Sequence, residues 1–248
     1  MSNFRFFYFD TETTGTEDDD RIITLYGQTN KDEVVDIIVK PPVPIKLGAI
    51  ATTGIFPEDV KDYPGWSDKE TKLVQKYVSN HVAIAHNIKF DKGMLEKEGV
   101  VDWPYMICTY KVAHHLFPEI DSHKLAAIHY HLGFREKLNW HDAETDVKAL
   151  MEVFDALTLR MVEKYKFDQR SAIKMMIEIT KKPLLLYRFT FGKYKGELWK
   201  DCTDYGYLEW IEKKSDLNED CKFTANHYLS SSTYQPSVTS ANQILNIN

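Results

Sequence analysis

The apolar positions of this chain change their period partway along it. Residues 4–9 form an aromatic run (Phe4, Phe6, Phe7, Tyr8, Phe9), which suits a buried strand. Segments 21–27 and 33–39 read as two further strands, and Gly27, Gln28, Asn30 and Asp32 supply turn chemistry between them. Pro41 and Pro42 stop the third strand, because proline brings no N–H to a ladder. Three short strands with close turns predict an antiparallel meander.

The spacing then becomes helical. Residues 67–80 place Leu73, Val74 and Tyr77 on one side of a helix. A short strand at 82–85, a helix at 90–97, a strand at 105–109 and helices at 111–116 and 122–131 follow, with Gly133 as a C-cap for the last. The plainest helix is 142–164, where Val147, Leu150, Met151, Phe154, Leu157 and Met161 recur at spacings of three and four. A further helix spans 167–180 until Pro183 ends it. Strands alternating with helices after a meander predict an α/β domain with a mixed sheet over 1–165. A helical connector at 166–183, a small unit at 184–230 and a flexible Ser/Thr/Asn/Gln-rich tail at 231–248 complete the expected organisation.

Composition narrows the classes. The 248 residues are 43% apolar, enough for one sizeable core and a small second unit. No apolar run approaches the length needed to cross a bilayer, and Arg5 and Asp10 flank the first one in a way no secretory leader does. Three cysteines without CxxC spacing read as reduced thiols, which fits a cytoplasmic protein. The net charge of −6 argues against a protein that coats nucleic acid non-specifically. Basic charge is nevertheless concentrated at 181–200, where Lys181, Lys182, Arg188, Lys193, Lys195 and Lys200 meet one acid, Glu197. The acidic stretch 17–20 reads as a solvated loop.

The candidate chemistry lies in carboxylates. Asp10 and Glu12 stand two residues apart at the end of the first strand, so both point to one face. Gly15 lets the chain turn away, and Thr13 and Thr14 offer donors to a substrate phosphate or sugar. Asp91 opens a helix after a turn whose His86 and Asn87 are further candidates for substrate contact. Asp146 falls in the first turns of the long helix, and His141 just before it, with Asp142 as the N-cap. Five residues along one helix would separate that pair by about 140°. His141 must therefore reach the site from the preceding loop, where an imidazole suits the role of general base. Hard oxygen ligands of this kind suit two Mg²⁺ ions, with Mn²⁺ as a substitute, acting on a phosphodiester. The histidines at 114, 115, 129 and 131 are spaced wrongly for a shared ligand set and read as structural. In Phe189–Gly196, either the aromatics stack a base beside Lys193 and Lys195, or they fill a small core and leave the lysines on its surface.

The set resembles the DEDDh branch of the 3′→5′ exonucleases. Asp10-Thr-Glu12-Thr-Thr-Gly15 is similar to that family's first motif, His86-Asn87-Ile-Lys-Phe90-Asp91 to its second, and His141 with Asp146 to its third. The segment from Ser122 to Gly133 also resembles the helix before the third motif, and the likeness extends over about 4–229 towards one DNA-specific branch. One departure is Thr52-Thr53-Gly54-Ile55, where many members carry a histidine before Gly-Ile. The resemblance implies a ribonuclease H-like fold with a five-stranded mixed sheet. It also implies Asp10, Glu12, Asp91 and Asp146 as metal ligands, and release of nucleoside 5′-monophosphates from DNA 3′ ends, as in DNA repair. It leaves a homodimer open. An RNA-trimming exonuclease with the same site, or a proofreading or scaffold subunit for a polymerase, is the alternative.

Overall fold

The computed structural model describes residues 4–230, so the expected tail at 231–248 lies outside the described residues. The chain divides between Lys182 and Pro183 into two compact units. In the first, β1 (Phe6–Thr13), β2 (Ile22–Thr29) and β3 (Val34–Ile38) form the expected meander. Helices α1 (Leu47–Thr53), α2 (Pro57–Val60) and α3 (Asp68–Asn80) follow, then β4 (Val82–Ala85), α4 (Ile88–Lys97) and β5 (Met106–Cys108). Helices α5 (Thr109–Leu116), α6 (Leu125–His131), α7 (Ala143–Tyr165) and α8 (Gln169–Lys181) complete it. The five strands lie in the order β3-β2-β1-β4-β5. β1 pairs antiparallel with β2 and parallel with β4, and β5 extends the parallel half.

Strand alternation divides β1 between two cores. Phe6 and Tyr8 face one side, where they join Ile84, Ile107, Val147, Leu150 and Phe154. Phe7 and Phe9 face the other, against Leu25, Val74, Val78, Met94 and Leu95 of β2, α3 and α4. The sheet is thus the middle of three layers, as an element buried on both faces requires. Gly27 lies opposite Phe9, and a Cβ there would collide with the Phe7 ring, so a glycine admits the aromatic pair Phe7–Phe9.

The structure departs from the sequence reading at several places. β1 runs past the aromatic run to Thr13, one residue beyond Glu12, because the ladder to β2 continues into the polar residues. α1 and α2 lie outside the predicted elements: α1 has no fully buried residue and packs only Ala49 and Ile50, partly buried, against Ile23, Ile45 and Val60, and α2 has only four residues. The helix at 166–183 is no connector, since α8 buries Ala172, Ile173 and Met176 in the first unit's core. Asp20 is not a solvated residue. It is 1% exposed and accepts hydrogen bonds from the Thr14 hydroxyl, the Glu17 N–H and Lys46 Nζ. Lys97 Nζ adds bonds to the carbonyls of Glu17 and Asp20, so two lysines hold the acidic loop against the end of β1.

The second unit is built on aromatics. Phe189 stacks on Trp199 at 3.8 Å, and Leu208 and Ile211 of α9 (Tyr205–Lys214) close over them with Cys221 and Ala225 of α10 (Glu219–Ser230). Of the two readings of Phe189–Gly196, the aromatics therefore include core residues, and Lys193 and Lys195 lie on the surface. All three cysteines are free thiols. Among the described residues, no helix is long and apolar enough to cross a membrane.

Candidate active site

The antiparallel packing of α7 on β1 brings the first and third motifs together. Phe154 meets Phe6 and Tyr8 edge-on at 5.1 and 5.5 Å. From that contact, Glu12 lies about 13 Å further along the strand and Asp146 about 12 Å back along the helix, so the two carboxylates arrive at the same level. One carboxylate oxygen from each of Asp10, Glu12 and Asp146 lies within 4.8 Å of the others. The ladder to β2 shifts register between Glu12 and Thr13, a bulge that ends regular pairing beside the site. The cluster lies at the carboxyl end of β1, next to the parallel β4 and opposite in course to β2. This is where open α/β sheets place their ligands.

Asp91 enters from the first turn of α4, directly after β4. It is buried, and its Oδ1 accepts a 2.8 Å hydrogen bond from the Thr11 hydroxyl. Thr11 lies between Asp10 and Glu12 in sequence, so strand alternation turns it to the opposite face, where α4 packs. The sequence reading gave Thr11 no role, although period-two alternation carried the signal. Asp91 is outside the tight trio but close enough to act on Asp10 electrostatically.

The electrostatics describe a site short of positive charge. Burial, then repulsion from Asp91, Glu12 and Asp146, raises the Asp10 carboxyl far above the ordinary range. Burial, then repulsion from Asp146, Asp91 and Asp142, pushes Glu12 up to about 8. Burial raises Asp91 to about 7 against the opposing Thr11 bond, and raises Asp146 to about 6. Asp146 Oδ2 accepts from the His141 N–H at 3.2 Å, whereas its Oδ1 is buried with no hydrogen-bond partner among the described residues. A carboxylate that carries such an oxygen and clusters with two further carboxylates fits a hard divalent cation.

His141 is exposed on the loop before α7, as its offset from Asp146 required. Its φ of 68° lies in the left-handed region, where histidine is enriched among non-glycine residues but still strained. Asp142 caps α7 by accepting from the Thr145 N–H at 3.0 Å.

Several proposed substrate contacts are committed elsewhere. The Thr14 hydroxyl is fully buried and bonded to Asp20, and the Thr13 hydroxyl donates to the Gly15 carbonyl. His86 holds Thr109 through Nδ1 and the His123 carbonyl through Nε2, and burial lowers its ring to about 4, so it stays neutral and braces the turn before α4. Local sequence shows the polarity of these side chains and not the internal partners that engage it. Asn87 is exposed at φ 66° in that turn. Lys193, in the second unit, pairs with Asp204 at 2.6 Å, and Lys195 is exposed.

Residues 7–154 match the model of the RNase T exonuclease family. The chain belongs to that family. It is a 3′→5′ exonuclease of the DEDDh type with a ribonuclease H-like fold, and such enzymes use divalent metal ions on nucleic acid. Exodeoxyribonuclease 10 of Escherichia coli K12 is 30% identical over 198 residues, covering 77% of this chain and 83% of that protein. The PolC-type DNA polymerase III of Clostridium perfringens is 32% identical over 164 residues, which is 62% of this chain and 11% of the polymerase. Among solved structures, exonuclease X in complex with 5′-overhanging duplex DNA superposes with a TM-score of 0.51 at 22% identity, covering 71% of this chain and 99% of that one. Escherichia coli exonuclease I with a dA16 oligonucleotide gives 0.56 at 18% identity, covering 65% and 42%. At these identities the two superpositions show a shared fold.

Proposed function

We propose that this chain is a 3′→5′ exodeoxyribonuclease that hydrolyses DNA from its 3′ end with two Mg²⁺ ions. The observation that carries the reading is the convergence of Asp10, Glu12 and Asp146 within 4.8 Å, with Asp91 beside Asp10. Asp10, Glu12 and Asp146 would hold one cation, and Asp10 with Asp91 the other. Bound cations supply an acidified water and charge compensation for the phosphate as the bond breaks. His141 accepts the proton of the attacking water at its imidazole, from an exposed loop position where it can exchange that proton with solvent. The Asp146 carboxylate anchors the base from below through the His141 N–H. Thr11 holds Asp91 at the carboxylate group. The preference for DNA rests on the 30% identity to exodeoxyribonuclease 10.

The test is digestion of 3′-labelled and 5′-labelled single-stranded DNA, and of a matched RNA, with Mg²⁺ or with EDTA. Mononucleotide release from the 3′ label, lost in EDTA and in Asp146→Ala, is expected. Cleavage that persists in EDTA would overturn the metal mechanism, and faster digestion of RNA would reassign the substrate.

A further inference from the structure

The loop that carries His141 is clamped to a buried histidine. His129 of α6 is 0% exposed, and its Nε2 donates to Glu152 of α7 at 2.7 Å. Its Nδ1 is buried with no hydrogen-bond partner among the described residues, so this nitrogen makes no polar contact there that explains the residue. The ring instead serves as a two-sided platform for the ends of the loop. Phe134 stacks on it at 4.5 Å with planes 16° apart, and Trp140 meets it edge-on at 5.5 Å. Trp140 Nε1 also donates to the Tyr130 hydroxyl at 3.3 Å, and the Phe134 N–H donates to the His129 carbonyl at 3.3 Å. Gly133 starts the loop at φ 106°, and the Asp142 cap ends it.

Trp140 immediately precedes His141. An exposed residue at φ 68° keeps a strained backbone only where its surroundings over-determine it. Here Trp140 holds the N-terminal side, and the Asp146 bond with the Asp142 cap holds the other. We infer that His129 and Trp140 are positioning residues for the reaction, the buried ring fixing the indole and the indole fixing where the His141 imidazole stands. The inference rests on the assignment of His141 as the general base. It requires the ring of His129 rather than its hydrogen bond, because Glu152 is half-exposed and water can replace that partner.

The experiment is a double-mutant cycle on the full chain with Mg²⁺ and single-stranded DNA, using Trp140→Ala, His141→Ala and the pair, with Tm recorded for each. Trp140 is only partly buried, so its removal leaves both cores intact. Trp140→Ala should lower kcat by about 10–100-fold, the scale of a catalytic group displaced by about 1 Å. KM should stay within about threefold. In the His141→Ala background the same change should cost less than about threefold, because the group it positions is gone. His129→Phe should retain most of kcat and His129→Gln should lose it. Equal losses in both backgrounds, or wild-type kcat in Trp140→Ala beside a normal His141→Ala defect, would overturn the clamp alone. Full kcat in His141→Ala would overturn the base assignment and the clamp with it.

Discussion

Replacing Asp146 by asparagine should stabilise the metal-free protein while destroying its activity. The folded site holds the Asp146 carboxyl at about 6, against an ordinary value of 3.8. A folded-state value above the unfolded one means that folding favours the protonated acid. The associated stability is complete below pH 3.8 and is lost as the pH rises to about 6. At pH 7.5 the accumulated penalty is about 3 kcal/mol. Asparagine has nearly the same shape, carries no charge, and can donate to the facing Asp10 and Glu12. Against that, the His141 N–H loses a charged acceptor, at a cost of about 1 kcal/mol. The net gain of about 1–2 kcal/mol corresponds to a rise in Tm of roughly 2–8 °C for a chain of this size. The gain should shrink towards zero as the pH is lowered to 4. Saturating Mg²⁺ should raise the wild-type Tm, by about 2.7 kcal/mol in stability at a hundredfold excess over Kd, and leave the variant largely unmoved. Nuclease activity should fall by at least roughly 10²-fold. Thermal melts in EDTA across pH 4–8, repeated with Mg²⁺, read all of this. A variant no more stable than wild type at pH 7.5 without metal, or an equal Mg²⁺ shift in both proteins, would refute the picture of four crowded carboxylates awaiting cations.

Other outcomes follow from the same geometry. Metal-free wild type should lose stability between pH 5 and 7, with Glu12 alone contributing about 2.5 kcal/mol because its carboxyl stays protonated up to about 8; Mg²⁺ should flatten that slope, and proton release on titrating Mg²⁺ at pH 7 gives an independent reading. Thr11→Val removes the 2.8 Å side-chain bond to Asp91 and should cut kcat by about tenfold with little change in Tm, as measured by steady-state digestion. Asp20→Ala leaves the Thr14 hydroxyl and Lys46 without their shared partner and should lower Tm by about 3–8 °C, as read by calorimetry. Gly192→Ala forces a side chain to φ 67° and against the Tyr207 hydroxyl; it should cost about 1–3 kcal/mol and show first as proteolysis within the second unit.

What this chain declares in one dimension is whatever repeats locally. Alternation in the first strand placed Asp10 and Glu12 on one face, and the spacing of three and four along 143–165 marked the helix that carries Asp146. The offset of five positions from His141 to Asp146 already required a loop for the base. A strand turns alternate side chains to opposite faces and a helix repeats every 3.6 residues, so these features need no partner to be read. What faces each side chain is a property of elements far apart in sequence, and only packing decided it. The antiparallel crossing of α7 on β1 set Asp146 level with Glu12. The placing of α4 gave Asp91 to Thr11. Internal partners engage the His86 ring and the Thr14 hydroxyl and bury Asp20, which charge alone would have left in water. A buried polar group must find its hydrogen bonds inside the fold, and which ones it finds depends on the whole chain's path.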